Sequence, residues 1–234
     1  MIVDAVEPAK EALYVALSDI AKRYRVNARE LFLIWLPFHH IELVPLKGKR
    51  RDVFIDDFLV DKLTNVLTKP LIARKKIGKV KKINLESRFL IVRPKPIDYY
   101  RIVYDLQKLL EELRSLERSL LDKLREVKRI NPPDRRRRIL AIRMELAKIY
   151  AGISALREVF GKEVMEKRIV FRVYFKRFIW RPLLIALTDR KPLIIDACKK
   201  RLELEPVYNY ILNHEENFVD YLNQLVSMSR RSAG

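Results

Sequence analysis

Cysteine, glycine and histidine are all scarce in this chain of 234 residues. The single cysteine, Cys198, excludes a disulfide within the chain and any zinc site built on paired cysteines from one copy. Five glycines are too few for a glycine-rich phosphate loop, and neither a GxSxG nor an HExxH pattern occurs. His39 and His40 are adjacent while His214 is distant, so a metal cluster would need carboxylates that no recognisable spacing supplies. A core or turn role is expected for them. Asp56, Asp57 and Asp61 beside Lys62 lack the carboxylate-x-lysine element of the common nuclease pattern. The expectation is a protein without enzymatic activity, cofactor or metal.

Long apolar runs are missing too. Leu31 to Phe38 is too short to cross a bilayer, and Phe178 to Ile195 is broken by Arg181, Asp189, Arg190 and Lys191. The N-terminal MIVDAVEPAKEAL carries acidic residues where an export signal would carry basic ones. No membrane partner is expected, and the expected location is intracellular, in cytoplasm or nucleoid, or inside a virion.

What is abundant is positive charge. Against 30 Asp+Glu stand 49 Lys+Arg, a formal net charge of +19, far beyond what solubility requires and the usual footprint of a polyanion binder. Charged residues make up 34% of the chain while threonine and glutamine are rare, a bias resembling that of hyperthermophile proteins. Half the residues being hydrophobic is enough for a sizeable core. The densest basic run, Lys69 to Lys95, contains one acid, Glu86. In it Arg74, Lys75, Lys76, Lys79, Lys81 and Lys82 are interleaved with Ile77 and Val80, as in a loop or strand edge anchored to a core while it tracks phosphates.

Periodicity divides the chain. From Asp98, Val103, Leu110 and Leu124 fall on one heptad series and Leu106, Leu113, Leu120 and Val127 on the other, which predicts a long amphipathic helix. Asn131 to Arg138 (NPPDRRRR) breaks it, with Asp134 placed to cap a second helix. That helix repeats Ile139, Leu146, Ile153 and Phe160 at seven-residue spacing and ends at Gly161. The two helices are expected to form an antiparallel hairpin, with Arg135, Arg136, Arg137 and Arg138 at its tip. Arg168 to Phe178 alternates, with Ile169, Phe171, Val173 and Phe175 on one side, which predicts a strand. Leu193 to Leu204 and Val207 to Met228 have helical patterns, and the tail SRRSAG is expected to fray.

Leu17 to Trp35 (LSDIAKRYRVNARELFLIW) has Ala21 where a first helix needs a small residue. Ile20 and Tyr24 flank it, Val26 falls in the turn, and Leu31 and Ile34 are where a second helix packs inward. In this the segment resembles the helix-turn-helix family of DNA-binding motifs, with Arg25 where the turn usually has glycine. The resemblance implies that Asn27 caps a recognition helix, that Ala28 and Arg29 face the groove, and that Arg23 and Arg25 lie near phosphates. Next, His40 to Phe58 flanks the turn-like Lys47 to Arg51 with apolar runs, as a winged-helix hairpin does. Its tip would bring Lys47, Lys49, Arg50 and Arg51 to the backbone.

The expected architecture is mainly α with minor β. A basic N-terminal domain spans 1–95, a coiled-coil hairpin 96–168 and a mixed strand and helix region 169–234. The expected function is binding of double-stranded DNA through its backbone, coating or organising it, as a chromatin-like factor or viral nucleocapsid protein of a hyperthermophile does. Self-association would run through the helical hairpin. The alternatives are a dimeric helix-turn-helix regulator and an RNA-associated or ribosome-associated factor.

Overall fold

In chain order the computed structural model has β1 (Ile2–Val6), α1 (Lys10–Leu13), α2 (Leu17–Tyr24), β2 (Ala28–Pro45), β3 (Arg51–Asp56) and α3 (Asp57–Val60). A 3-10 turn (Lys69–Ile72) leads to β4 (Ala73–Arg74), β5 (Val80–Asn84), β6 (Leu90–Ile91), α4 (Tyr99–Ile130) and α5 (Arg135–Phe160). Then come β7 (Phe171–Thr188), β8 (Leu193–Asp196), α6 (Pro206–His214) and α7 (Glu216–Ser232). The structure describes residues 1–85, 90–161, 170–201 and 203–232. Arg168 and Ile169 of the expected strand, Glu86 of the basic run and the last two residues of the tail lie outside them.

The expectation of a mainly α protein is overturned by an eight-stranded mixed sheet, the chain being about 47% helical and 28% strand. Its order is β4-β3-β2-β7-β1-β5, with β6 on β2 and β8 on β7. The spine is the antiparallel pair of β2 and β7, which runs from Ala28↔Thr188 to Pro45↔Phe171 with register shifts between Ala28 and Glu30 and between His40 and Ile41. Strands from the first 95 residues and from beyond residue 169 thus share one sheet.

The second helix of the suspected helix-turn-helix is instead the start of β2. Eight consecutive residues of β2, Ile34 to Ile41, are buried, so both faces of the strand are covered and its apolar residues show no period of two. Successive side chains take opposite sides: Leu31 and Leu33 pack with Ile20, Ala186 and Ile195, while Ile34 and Leu36 enter the main core. A helix would have put Leu31 and Ile34 on one side. Prolines are admitted where the outer neighbour changes. Pro37 falls between the β6 and β3 pairings of β2, and Pro182 between the β1 and β8 pairings of β7, where a missing N–H interrupts no ladder.

Two further expectations change. Leu193 begins a strand, β8, rather than a helix, because Leu193 to Asp196 pair with Ala186 to Leu183. Asp134 precedes α5 but makes no capping bond; its carboxylate pairs with Arg138 at 2.8 Å. The β2–β3 hairpin and the α4–α5 hairpin form where their patterns place them, and beyond Val207 the helices form but α7 runs on to Ser232, into the tail expected to fray.

The main core gathers β2, β3 and β7 with α3 to α7, including Leu43, Ile55, Phe58, Val173, Tyr208 and Phe218. The base of the α4–α5 hairpin belongs to it through Leu106, Leu110, Leu113, Ile149, Ile153 and Leu156. At Gly152 a Cβ would lie 3.3 Å from Leu113 Cδ1 and 3.2 Å from Pro70 Cγ, so the bare backbone is what lets the helices close there. Leu113 is the last fully buried residue of α4. The rest of the helix, 17 residues to Ile130, extends roughly 25 Å beyond as a two-helix arm.

Candidate nucleic-acid interface

The basic residues singled out by sequence stand in four places. At one end of the β2–β7 spine, α2 closes on Arg25, whose φ of 53° is left-handed; its N–H donates to the Ala21 carbonyl. The turn expected of the motif is therefore present, although it leads into a strand. Arg23, Arg25, Asn27 and Arg29 are exposed. Asn27 caps no helix: its N–H donates to Asp189 Oδ1 at 3.3 Å, and Asp189 N–H donates to the Asn27 carbonyl at 3.1 Å. That clasp brings the exposed Arg190 and Lys191 of the β7–β8 turn to the same end. In the sequence both stand out only as interruptions of an apolar run; the turn-like tetrapeptide DRKP is the signal that could have found them.

The opposite end holds Lys47, Lys49 and Arg50, exposed in the β2–β3 turn, with Arg50 3.9 Å from Glu42. Seventeen residue steps at roughly 3.3 Å put this turn about 55 Å along β2 from Arg29, so the two do not form one helix-and-wing surface. Arg51 is half-buried, its guanidinium against Gly161 at the C-terminus of α5, where a cation meets the negative end of the helix dipole.

A third group lies on the crossing from β4, at one edge of the sheet, to β5 at the other. Ile77 pins this crossing by packing with Val6, Phe38 and Ile179. Gly78, at φ 116°, has Val6 Cγ1 only 2.8 Å from where a Cβ would stand. Lys75, Lys76 and Lys79 are left exposed, as is Lys82 on β5, and Lys81 pairs with Glu7. Lys75 and Lys76 border a cleft of about 500 Å³ shared with Ala155 and Glu158 of α5.

Arg74, next in sequence to these lysines, points the other way. With Arg181 it joins a buried network: Arg181 Nη2 is 2.9 Å from Asp196 and also pairs with Glu205, and Arg74 reaches Glu205 at 3.5 Å and Asp56 at 3.8 Å. Tyr208 donates its hydroxyl to Asp56. Burial pushes the Asp56 carboxyl up to about 6, against the pull of Arg74. Burial also raises Glu205, and it raises the Cys198 thiol to about 12 with help from Asp196. Burial alone would lower Arg181, but Glu205 and Asp196 more than offset it and hold the guanidinium above its usual range. Arg74 is thus engaged internally and does not offer a phosphate contact.

The fourth place is the arm tip. Arg135 donates to Asn131 Oδ1 at 2.9 Å and Arg138 pairs with Asp134, which leaves Arg136 and Arg137 exposed and, among the described residues, without an ion pair. Lys128 and Arg129, exposed on the last turn of α4, enlarge this patch and were not singled out by sequence.

His39 and His40 are internal to β2, whereas His214 is exposed at the end of α6. His39 is fully buried, its Nδ1 2.8 Å from the Tyr99 hydroxyl and its Nε2 3.7 Å from Asp57, among the rings of Tyr99, Phe175 and Phe178. His40 stacks on Phe54 and meets Asp52 at 2.8 Å. Asp56 and Asp57 are buried, and Asp61 pairs with Lys95 at 2.7 Å. Among the described residues, no three or more His, Cys, Asp or Glu stand together to hold a metal ion. No helix among them is long and apolar enough to cross a membrane. Compared with protein-family models, with curated proteins and with solved structures, the chain matches none.

Proposed function

We propose that this protein binds double-stranded DNA through its phosphate backbone, without catalysis, and coats or organises it inside a cell or a virion, copies meeting through the helical hairpin. The observation that carries the reading is the placement of exposed basic residues. They stand at both ends of a spine about 55 Å long, on the crossing between the sheet edges, and at the tip of an arm reaching roughly 25 Å past the core. Phosphates are spaced along a polymer, and cations distributed over several faces suit a polymer better than a small anion. Base reading by a recognition helix loses its support, since the residues assigned to that helix lie in β2.

The test is binding of a random duplex against salt, with stoichiometry measured as duplex length increases. Saturating, length-proportional loading with a steep salt slope is expected. Preference for one selected site by about a thousandfold or more would replace coating with regulation. Structured RNA outcompeting duplex DNA would move the reading to a ribonucleoprotein, where a protruding arm also fits a groove.

A further inference from the structure

The helix α5 has a second apolar side. One side, through Ile149, Ile153 and Leu156, packs into the core with α4. On the other, Leu140 and Met144 are 61% and 57% exposed, and Ala147, Ala151 and Ser154 come next at helical spacing, exposed as well. Toward its C-terminal end this side borders a cleft of about 410 Å³ whose opposite wall is Leu67, Leu71, Val207 and Tyr210.

The side is graded from end to end. Its large residues, Leu140 and Met144, are on the free arm, while of its small ones Ala147 and Ala151 line the cleft and Ser154 follows them along the helix. Charge has the same polarity: Arg136 stands eleven residues before Ala147 and the exposed Glu158 eleven residues after it. A surface of this kind is complementary to itself turned end for end. About Ala147, Leu140 of one copy meets Ser154 of the other, Met144 meets Tyr150 and Ala151, and Arg136 meets Glu158.

From this we infer that two copies pair antiparallel along α5, with a two-fold axis at Ala147, each arm laying Leu140 and Met144 over the other copy's cleft. The interface is isologous, as closed dimers require. It rests on the reading that copies associate through the hairpin, and adds to it the face, the direction and the axis. Each arm tip is thereby delivered to Lys75 and Lys76 of the other copy, which border the cleft that Glu158 lines. Patches that one chain holds roughly 27 Å apart along α5, Arg137 to Ala155, become neighbours. Beyond the Arg136–Glu158 pair, Arg137, Lys75 and Lys76 then face one another, and their repulsion is relieved when a polyanion binds between them.

Sedimentation velocity on the full chain, at low and high salt and with a short duplex added, reads the association. Leu140→Glu with Met144→Glu changes exposed positions, so folding is retained, and it should weaken the dimer at least about tenfold by burying unpaired carboxylates. Arg136→Glu alone and Glu158→Arg alone should each weaken it, and the two together should restore it. Ala147→Cys should cross-link to itself through a short bis-maleimide while Arg129→Cys does not; Cys198, with its thiol pushed up to about 12, is the internal control. A dimer that ignores L140E/M144E and shows no charge-swap rescue would overturn this interface and leave self-association standing. A monomer under every condition would overturn both.

Discussion

Arginine is used in two opposite ways in this molecule, and the buried network at the sheet and the tip of the arm are the two settings. Arg74 and Arg181 are enclosed with Asp56, Asp196, Glu205 and Tyr208, and each charge is tolerable only because the others are there. Arg136 and Arg137 are solvated on a helix whose large apolar neighbours, Leu140 and Met144, are solvated with them. Residue type therefore does not tell a structural cation from a binding one. Adjacent positions, Arg74 and Lys75, fall on opposite sides of that division because Arg74 ends β4 against the network while Lys75 begins the exposed crossing.

The contrast breaks most visibly at Arg181. Arg181→Met removes the cation between Asp196 and Glu205 and leaves two buried carboxylates without it, so urea unfolding should show a loss of roughly 3–5 kcal/mol. An unchanged midpoint would mean the network is not closed to water. Next in size is the base of the hairpin against its arm. Leu113→Ala, at a fully buried position, should cost roughly 2–5 kcal/mol, and Leu140→Ala on the arm should stay within about 0.5 kcal/mol for the monomer.

The pH dependence of stability sharpens the comparison further. Asp56 is raised in the folded state from an ordinary 3.8 to about 6, so the folded protein binds the extra proton between those values. Its stabilising contribution is full below about pH 4 and is lost as pH rises through about 6, up to roughly 3 kcal/mol. Unfolding curves of the parent and Asp56→Asn at pH 4 and pH 7 should therefore differ in slope, the parent losing more stability on going up. Equal slopes would remove Asp56 from the network's titration. Smallest in stability, within about 0.5 kcal/mol, is Arg136→Ala with Arg137→Ala. Its effect belongs to duplex binding, where the salt slope should fall by up to about 2.

Much of the helical half was legible. Leu106, Leu113 and Leu120 repeat every seven residues because one face of α4 meets α5, and Asn131-Pro-Pro stops a helix whatever surrounds it. The β2–β3 hairpin is marked by Lys47 to Arg51 between apolar runs. By contrast Leu31 to Phe38 reads equally as a buried helix or a strand covered on both faces, and Pro37 is the residue that weighs against a helix. Arg25 shows how near such readings run: its left-handed turn is as expected, and only the next element differs. Of the candidate contacts, the lysines of the crossing and Arg136, Arg137 and Arg138 of the tip are exposed, and Arg74 and Arg51 are turned to internal uses.

By itself the sequence determined the excess of positive charge, the two long helices and where they turn, since composition and local period do not depend on distant partners. Only the tertiary structure decided that Ala28 to Pro45 is a strand and that its partner is Phe171 to Thr188. It alone also separated the basic residues that are enclosed from those that are free. The physical reason is that a strand's hydrogen bonds go to another segment, here more than a hundred residues away, and a side chain's burial depends on what that pairing brings across it.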